Sequence, residues 1–232
     1  MNEEKEKIMR RIREALTVPA PHPGAHGNSV DAGHEAAEAE YSHWLPRVGE
    51  GFEAEAELFA KNSVQLKSVF YLLADETAAA AKLAEIAWAE GWKRVASHGD
   101  GANGTATRKM VAGLNLPGIW TDSGYDVREM ESCDAGISEC DALVAQTGSV
   151  VVTTRSAGGR ALSVLPPHHV VLARRGQLVA DLPAAFELIE KKYAANYPSF
   201  ISLITGPSRT GDIERILVLG AHGPKKLTIL CW

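Results

Sequence analysis

Ser68-Val69-Phe70-Tyr71-Leu72-Leu73, the alanine-rich run from Glu76 to Glu90, and Arg94-Val95-Ala96-Ser97-His98-Gly99-Asp100-Gly101 decide the fold. The first segment is a short β-like run. The second is helical in composition and is stopped by Gly91, the residue type that accepts the left-handed conformation after a helix. The third is another short strand running into a glycine turn. Strand, helix, strand in this order predicts an α/β fold with a mostly parallel sheet flanked by helices. In such sheets ligands sit beyond the carboxyl ends of the strands.

The pattern extends in both directions. Upstream, residues 51–65 read as a helix with Phe52, Ala56, Phe59 and Ala60 on one face. Residues 2–16 read as a separate amphipathic helix, with Ile8, Met9, Ile12, Ala15 and Leu16 on one stripe. Between them lies Thr17-Val18-Pro19-Ala20-Pro21-His22-Pro23-Gly24, rich in residues that break regular structure. The expected organisation is a helical arm over 1–16, a flexible connector over 17–49 and an α/β domain over 50–232. Downstream, the expectation is a helix over Ile137–Ala145, a strand over Ser149–Thr153 and a short helix near Arg160–Leu165. A buried strand over His169–Ala173 and a helix from Pro183 to Tyr193 come next. The remaining expectations are strands over Phe200–Ile204, Ile216–Leu219 and Leu227–Leu230, with a helical turn over Thr210–Arg215.

The totals exclude several classes. The chain has 232 residues, 23% charged and 45% hydrophobic, within the range of globular domains. A net charge of −5 without a basic stripe argues against nucleic acid. No apolar run approaches the ~18–20 residues of a membrane-spanning helix. Cys133, Cys140 and Cys231 are odd in number and lack CxxC spacing, which argues against disulfides and structural zinc. A reduced, cytoplasmic setting is expected, and no metal is assigned to this chain.

Four glycine-bearing turns interrupt the short strands of the C-terminal third. They are Gln146-Thr147-Gly148-Ser149, Ser156-Ala157-Gly158-Gly159-Arg160, Gly206-Pro207-Ser208-Arg209-Thr210-Gly211-Asp212, and Gly220-Ala221-His222-Gly223-Pro224. Glycine lets the backbone approach a ligand, and exposed N–H groups at such turns suit an anion. The expectation is that they gather at one end of the sheet around a small carboxylate or phosphate. In that reading Thr147, Gly148, Ser149, Gly159, Arg160, Gly206, Ser208, Arg209, Thr210, Asp212 and Gly223 contribute, with Arg209 pairing the anion through its planar guanidinium. Ser208 or Thr210 can equally cap a helix, leaving Arg209 a surface residue. His222 is the candidate acid–base group, since imidazole titrates near neutral pH; the alternative is a ring bonded to a loop carbonyl. Gly99, Gly101 and Gly104 match GxGxxG spacing, with a strand before and Asp122 near the expected acidic position. A lone match of this kind is weak evidence for a dinucleotide.

Asp141 to Val152, Gly159-Arg160-Ala161-Leu162-Ser163 with Leu165-Pro166 and His169, Gly206 to Glu214, and Gly220 to Pro224 together resemble the LUD domain, the lactate-utilisation family. The resemblance covers about residues 50–232 and is strongest to the short C-type members. One departure stands out: the family's usual Glu-Thr-Gly-Thr turn is here Gln146-Thr147-Gly148-Ser149, so no acidic role is carried to position 146. The resemblance implies a fold similar to the sugar-isomerase/CoA-transferase group. It also implies a place in a multi-protein system oxidising L-lactate to pyruvate, with iron–sulfur clusters in partner proteins. By analogy with the same fold group, the alternative is a stand-alone isomerase, transferase or cyclo-ligase acting on a phosphorylated, folate or CoA-linked carboxylate.

Overall fold

The structure, a computed structural model, describes residues 2–17, 46–99, 104–211, 217–219 and 223–232. It divides into two compact units, Met1–Pro46 and Arg47–Trp232. In the first, helix α1 spans Asn2–Leu16, as its periodicity predicts, with Ile8 and Met9 exposed. Most of the expected connector lies outside the described residues.

The second unit is built on a parallel sheet of six strands: β1 (Val69–Leu72), β2 (Val95–Ser97), β3 (Gly118–Trp120), β4 (Ala135–Glu139), β7 (His168–Ala173) and β12 (Lys226–Cys231), in spatial order β1-β12-β7-β4-β2-β3. A second sheet of four strands runs β8-β5-β6-β9, with β5 at Ala142–Val144, β6 at Ser149–Thr153, β8 at Leu178–Val179 and β9 at Ile201–Ile204. Here β5 and β6 form an antiparallel pair, and β9 is antiparallel to β6. Strands β10 (Arg209–Gly211) and β11 (Leu217–Leu219) form a separate antiparallel ribbon.

Helices α2 (Phe52–Leu66), α3 (Glu76–Ala89), α4 (Gly104–Ala112), α5 (Val127–Glu131) and α6 (Leu182–Tyr193) complete the unit. Their starts follow local chemistry. Asp75, Asp126 and Asp181 each accept a first-turn N–H, and Pro183 sits in the first turn of α6 where its missing N–H costs nothing.

Alternation along the strands sorts the two faces. Val95, Ile137, Val170, Leu172 and Leu230 meet α3 and α4 on one side. On the other, Ala96 and Ile119 meet Met130 of α5, while Val171 and Ile229 meet Phe59 of α2 and the inner face of the small sheet. The outer face of the small sheet is covered by Ala185, Ile189 and Tyr193 of α6.

Three sequence expectations are corrected. Ile137–Ala145 is not a helix: it is the end of β4, a bend and β5, with every residue buried. A strand covered on both faces shows no period-2 pattern, so its apolar run is indistinguishable from a buried helix. Arg160–Leu165 makes only turns: the N–H groups of both Val164 and Leu165 donate to Ala161 O, and Pro166-Pro167 prevents a further turn. Thr210 and Gly211 belong to β10 rather than to a helical turn, and Asp212–Ile216 lies outside the described residues. The elements α4, β3, α5, β8 and β10 have no counterpart in the sequence reading.

Candidate functional site

The connection from β2 leaves toward the face carrying α4, whereas those from both its neighbours, β3 and β4, leave toward the opposite face. Loops that diverge in this way open a crevice beyond the carboxyl ends of the strands, the place where open α/β sheets bind ligands. A cleft of about 500 Å³ lies there, lined by His98, Thr121, Asp122, Thr154, Arg155 and Gly158.

Its floor is buried and polar. His98 follows β2 directly, and its Nε2 accepts the Glu139 N–H (3.2 Å), so the neutral ring carries its proton on Nδ1. The buried Glu139 carboxylate accepts from Thr107 Oγ1 of α4 (2.7 Å). Strand β2 and helix α4 are thereby both tied to the end of β4. On the β3 side, Asp122 Oδ1 accepts the Gly99 N–H (2.8 Å) and Oδ2 accepts from Arg108 Nη2 (2.5 Å). Burial raises the Asp122 pKa, but the Gly99 N–H and the Arg108 guanidinium outweigh it and hold the carboxyl below its usual range. Arg108 is further seated over the Trp120 ring at 4.8 Å. Among the described residues, Thr121 Oγ1 is buried without a hydrogen-bond partner.

The opposite wall is the loop after β6. Thr153 Oγ1 accepts the N–H groups of Arg155 and Ser156 (both 3.2 Å), and Ser156 Oγ accepts the Thr153 N–H (2.9 Å). This reciprocal turn presents Arg155, which is exposed with its guanidinium 5.7 Å from the Tyr193 ring centroid. Gly158, at φ +58°, lets the loop press on the floor: a Cβ there would lie 2.3 Å from His98 Cβ and 2.6 Å from Thr121 Oγ1.

The four glycine turns do not share one pocket. Thr147, Gly148 and Ser149 stand at the start of β6, where Thr147 Oγ1 donates to Ser149 Oγ and Ser149 Oγ is bonded to Thr205 Oγ1 (both 2.8 Å). Gly148 and Gly206 both pack on the end of α2, where an added Cβ would meet Asn62 and Leu66. Asn62 Nδ2 donates to the carbonyls of Ala145 (2.8 Å) and Gln146 (3.0 Å). Arg209 is exposed beside Gly206, and the Ser208 N–H donates to Pro224 O (2.8 Å), next to Gly223. Gly159 and Arg160 lie at the far end of β6. Arg160 stacks on Phe200 at 4.6 Å and donates to Ser199 O (3.4 Å). Since β6 and β9 run antiparallel, their ends alternate, and the two groups sit a strand length apart, about 15 Å. The expectation of one shared end held only for parallel strands. Thr210 falls in β10, while Asp212 and His222 lie outside the described residues.

Of the cleft residues, Asp122 was marked in the sequence, through the glycine spacing that precedes it. Thr121, Thr154, Arg108 and Glu139 carried no sequence signal. Among the described residues no group of three or more His, Cys, Asp or Glu side chains could hold a metal ion. Nor is any described helix long and apolar enough to cross a membrane. The three cysteines are buried and unpaired. Burial pushes the Cys140 thiol well up and the Cys231 thiol to about 11, which makes both poor nucleophiles.

Comparison with known proteins gives one consistent relation. Three proteins named Lactate utilization protein C are similar to this chain. The Deinococcus radiodurans protein is 28% identical over 133 residues, covering 53% of this chain and 62% of that protein. The Shouchella clausii protein is 32% identical over 138 residues, 58% of each chain. The Bacillus subtilis protein is 33% identical over 114 residues, 47% of this chain and 48% of that one. The chain thus spans about half the length of the curated relatives it matches. A crystal structure of a DUF162 family protein from Deinococcus radiodurans shares the fold, with a TM-score of 0.60 at 16% identity, covering 79% of this chain and 99% of that one. Residues 122–231, which include Asp122 and the whole Arg155 loop, match the LUD domain.

Proposed function

We propose that this chain is a component of a system that oxidises L-lactate to pyruvate, working with iron–sulfur partner proteins, and that it holds a small anionic ligand in the cleft beside Arg155. The observation that carries the first part is the similarity to proteins named Lactate utilization protein C, together with the match of residues 122–231 to the LUD domain. The second is supported by the cleft itself, where the exposed Arg155 lies beyond the carboxyl ends of parallel strands. Deleting the gene is expected to abolish or strongly slow growth on L-lactate as sole carbon source, with growth restored by the wild-type gene. Undiminished growth of the deletion strain, in a host with no other L-lactate oxidase, would overturn the assignment.

A second reading places the anion at the opposite end of β6. There Arg209 stands beside Gly206, at φ +90°, and the hydroxyl chain Thr147–Ser149–Thr205. If that turn holds the anion, Arg209→Ala weakens its binding roughly ten- to a hundredfold, the worth of a charged hydrogen bond. Lysine does not restore it, because an ammonium lacks the planar two-point contact. Isothermal titration with L-lactate and inorganic phosphate reads the change, and unaltered affinity makes Arg209 a solvated loop residue.

A further inference from the structure

Helix α1 is amphipathic, and on its apolar stripe Ile8 is 59% and Met9 41% exposed. A short helix of this kind draws most of its stability from whatever packs on the stripe. The charges beside the stripe bear on what that is. At about 100° per residue, positions 6 and 13 fall on one flank of the stripe and position 11 on the other. Glu6, Arg11 and Arg13 are all exposed, and none of them makes an ion pair among the described residues. One flank thus carries an acid toward its amino end and a base toward its carboxyl end. The helix dipole does not account for the pattern, since Glu6 lies beyond the first turn and Glu14 stands in the last. Nor does an anionic membrane surface, which calls for a polar face dominated by Lys and Arg. Here Glu3, Glu4, Glu6 and Glu14 stand among Lys5, Lys7, Arg10, Arg11 and Arg13.

An acid followed by a base along one flank is complemented by a base followed by an acid, which is the same helix turned end for end. We infer that α1 pairs antiparallel with α1 of a second copy of this chain, with Ile8 and Met9 at the centre and Glu6 of each copy against Arg13 of the other. A two-fold axis perpendicular to the helices brings the same flank of both copies together and reverses its direction, so the Glu6–Arg13 contact is made twice. With Ile8 and Met9 of the two copies level, Glu6 stands two residues, about 3 Å along the axis, from Arg13 of the other copy, within reach of both side chains. A parallel pair is disfavoured by the same charges. There opposite flanks meet, and Arg13 of one copy falls beside Arg11 of the other. With 15 residues, α1 offers an interface of two heptads, so the dimer is short and its population depends on concentration.

The test is sedimentation equilibrium of the full chain, followed up to its highest soluble concentration. A monomer–dimer equilibrium is expected, weakened by added salt. Ile8→Glu abolishes it without moving the urea midpoint of the α/β unit. Glu6→Arg and Arg13→Glu each weaken self-association about tenfold, because two attractive contacts become two repulsive ones. The deciding measurement is an equimolar mixture of these two variants. Between unlike copies both flank contacts are again Arg against Glu, so the mixture is expected to dimerise about as tightly as the wild-type chain while neither variant does so alone. This recovery separates pairing from the mere unwinding of α1 by a substitution. A chain that stays monomeric at every concentration overturns the inference, and so leaves the stripe to its own α/β unit or to a different protein. Dimers that survive Ile8→Glu, or a mixture no tighter than its components, overturn it as well.

Discussion

At the scale of single residues, Gly158 and Gly159 are adjacent, both at positive φ, and unequal. An added Cβ at Gly158 meets His98 Cβ at 2.3 Å, while at Gly159 nothing lies within 4 Å. Gly158→Ala therefore carries both backbone strain and a collision with the cleft floor; Gly159→Ala, at φ +107°, carries strain only. The expected cost is about 1 kcal/mol or somewhat more for Gly159→Ala, and at least about 2 kcal/mol for Gly158→Ala. Urea unfolding of the two variants checks the ranking, and an equal cost would mean that the loop yields freely at Gly158. Two consecutive glycines announce a turn in any sequence. Which of them is packed depends on His98, sixty residues away, and no local signal records that distance.

At the scale of elements, α6 is fastened to the small sheet by charge as well as by apolar contact. The Asp141 side chain is fully buried, and its Oδ1 accepts from Lys192 Nζ (2.6 Å) and from the Tyr193 hydroxyl (2.7 Å). Burial lowers the Lys192 pKa, but bonding to Asp141 more than reverses this and raises it. Lys192→Met leaves a buried carboxylate without its cation. Breaking a buried pair costs about 3–5 kcal/mol; the partial exposure of Lys192 brings the expectation to the lower end of that range or slightly below. The double variant Asp141→Asn/Lys192→Met should recover a good part of the loss, because no uncompensated charge remains. Chemical denaturation of the single and double variants gives the coupling directly, and strictly additive losses would mean that the two groups do not interact. The helix α6 itself was legible from Pro183 and its apolar spacing. Its charged clasp was not, because Asp141 lies in a segment whose continuous burial disguised two strands as a helix.

At the scale of the whole molecule, two adjacent histidines of the central strand β7 make stability depend on acid. His169 is buried, with Nε2 bonded to Ser138 Oγ, and burial lowers its pKa from 6.5 to about 3. His168 is also lowered, mainly by burial, although Glu90 opposes the shift. A depressed folded-state pKa for a base means that the unfolded chain takes up the proton first. The stabilisation is present above pH 6.5 and is lost as pH falls below it toward the folded value. For His169 the loss reaches about 2 kcal/mol near pH ~5, from the linkage of ~1.4 kcal/mol per pH unit. Glu90 adds to it at lower pH. Burial raises its pKa, but Lys226 and His168 outweigh that and hold it below 4.5, so its contribution falls away as the carboxylate protonates. The midpoint of urea denaturation should therefore fall steadily from about pH ~7 to pH ~5, and a His169→Gln variant should show a shallower slope. A flat profile across that interval would mean that His169 is protonated in the folded state.

The sequence by itself determined the class of fold, because strand and helix lengths, the break at Gly91 and the helix start at Pro183 are local matters of propensity and backbone freedom. It also carried the relation to the LUD domain, in ordered motifs that any fold of this chain would retain. Tertiary structure alone decided that Ser149–Thr153 and Ile201–Ile204 leave the parallel sheet for an antiparallel one, which sends Arg209 and Arg160 to opposite ends. Pairing direction is set by which apolar faces are buried together, and strands of the same composition satisfy either arrangement. Tertiary structure likewise brought His98, Asp122 and Arg155 to one cleft, since their meeting depends on two crossover connections leaving opposite faces of a sheet and on one glycine narrow enough to let the walls touch.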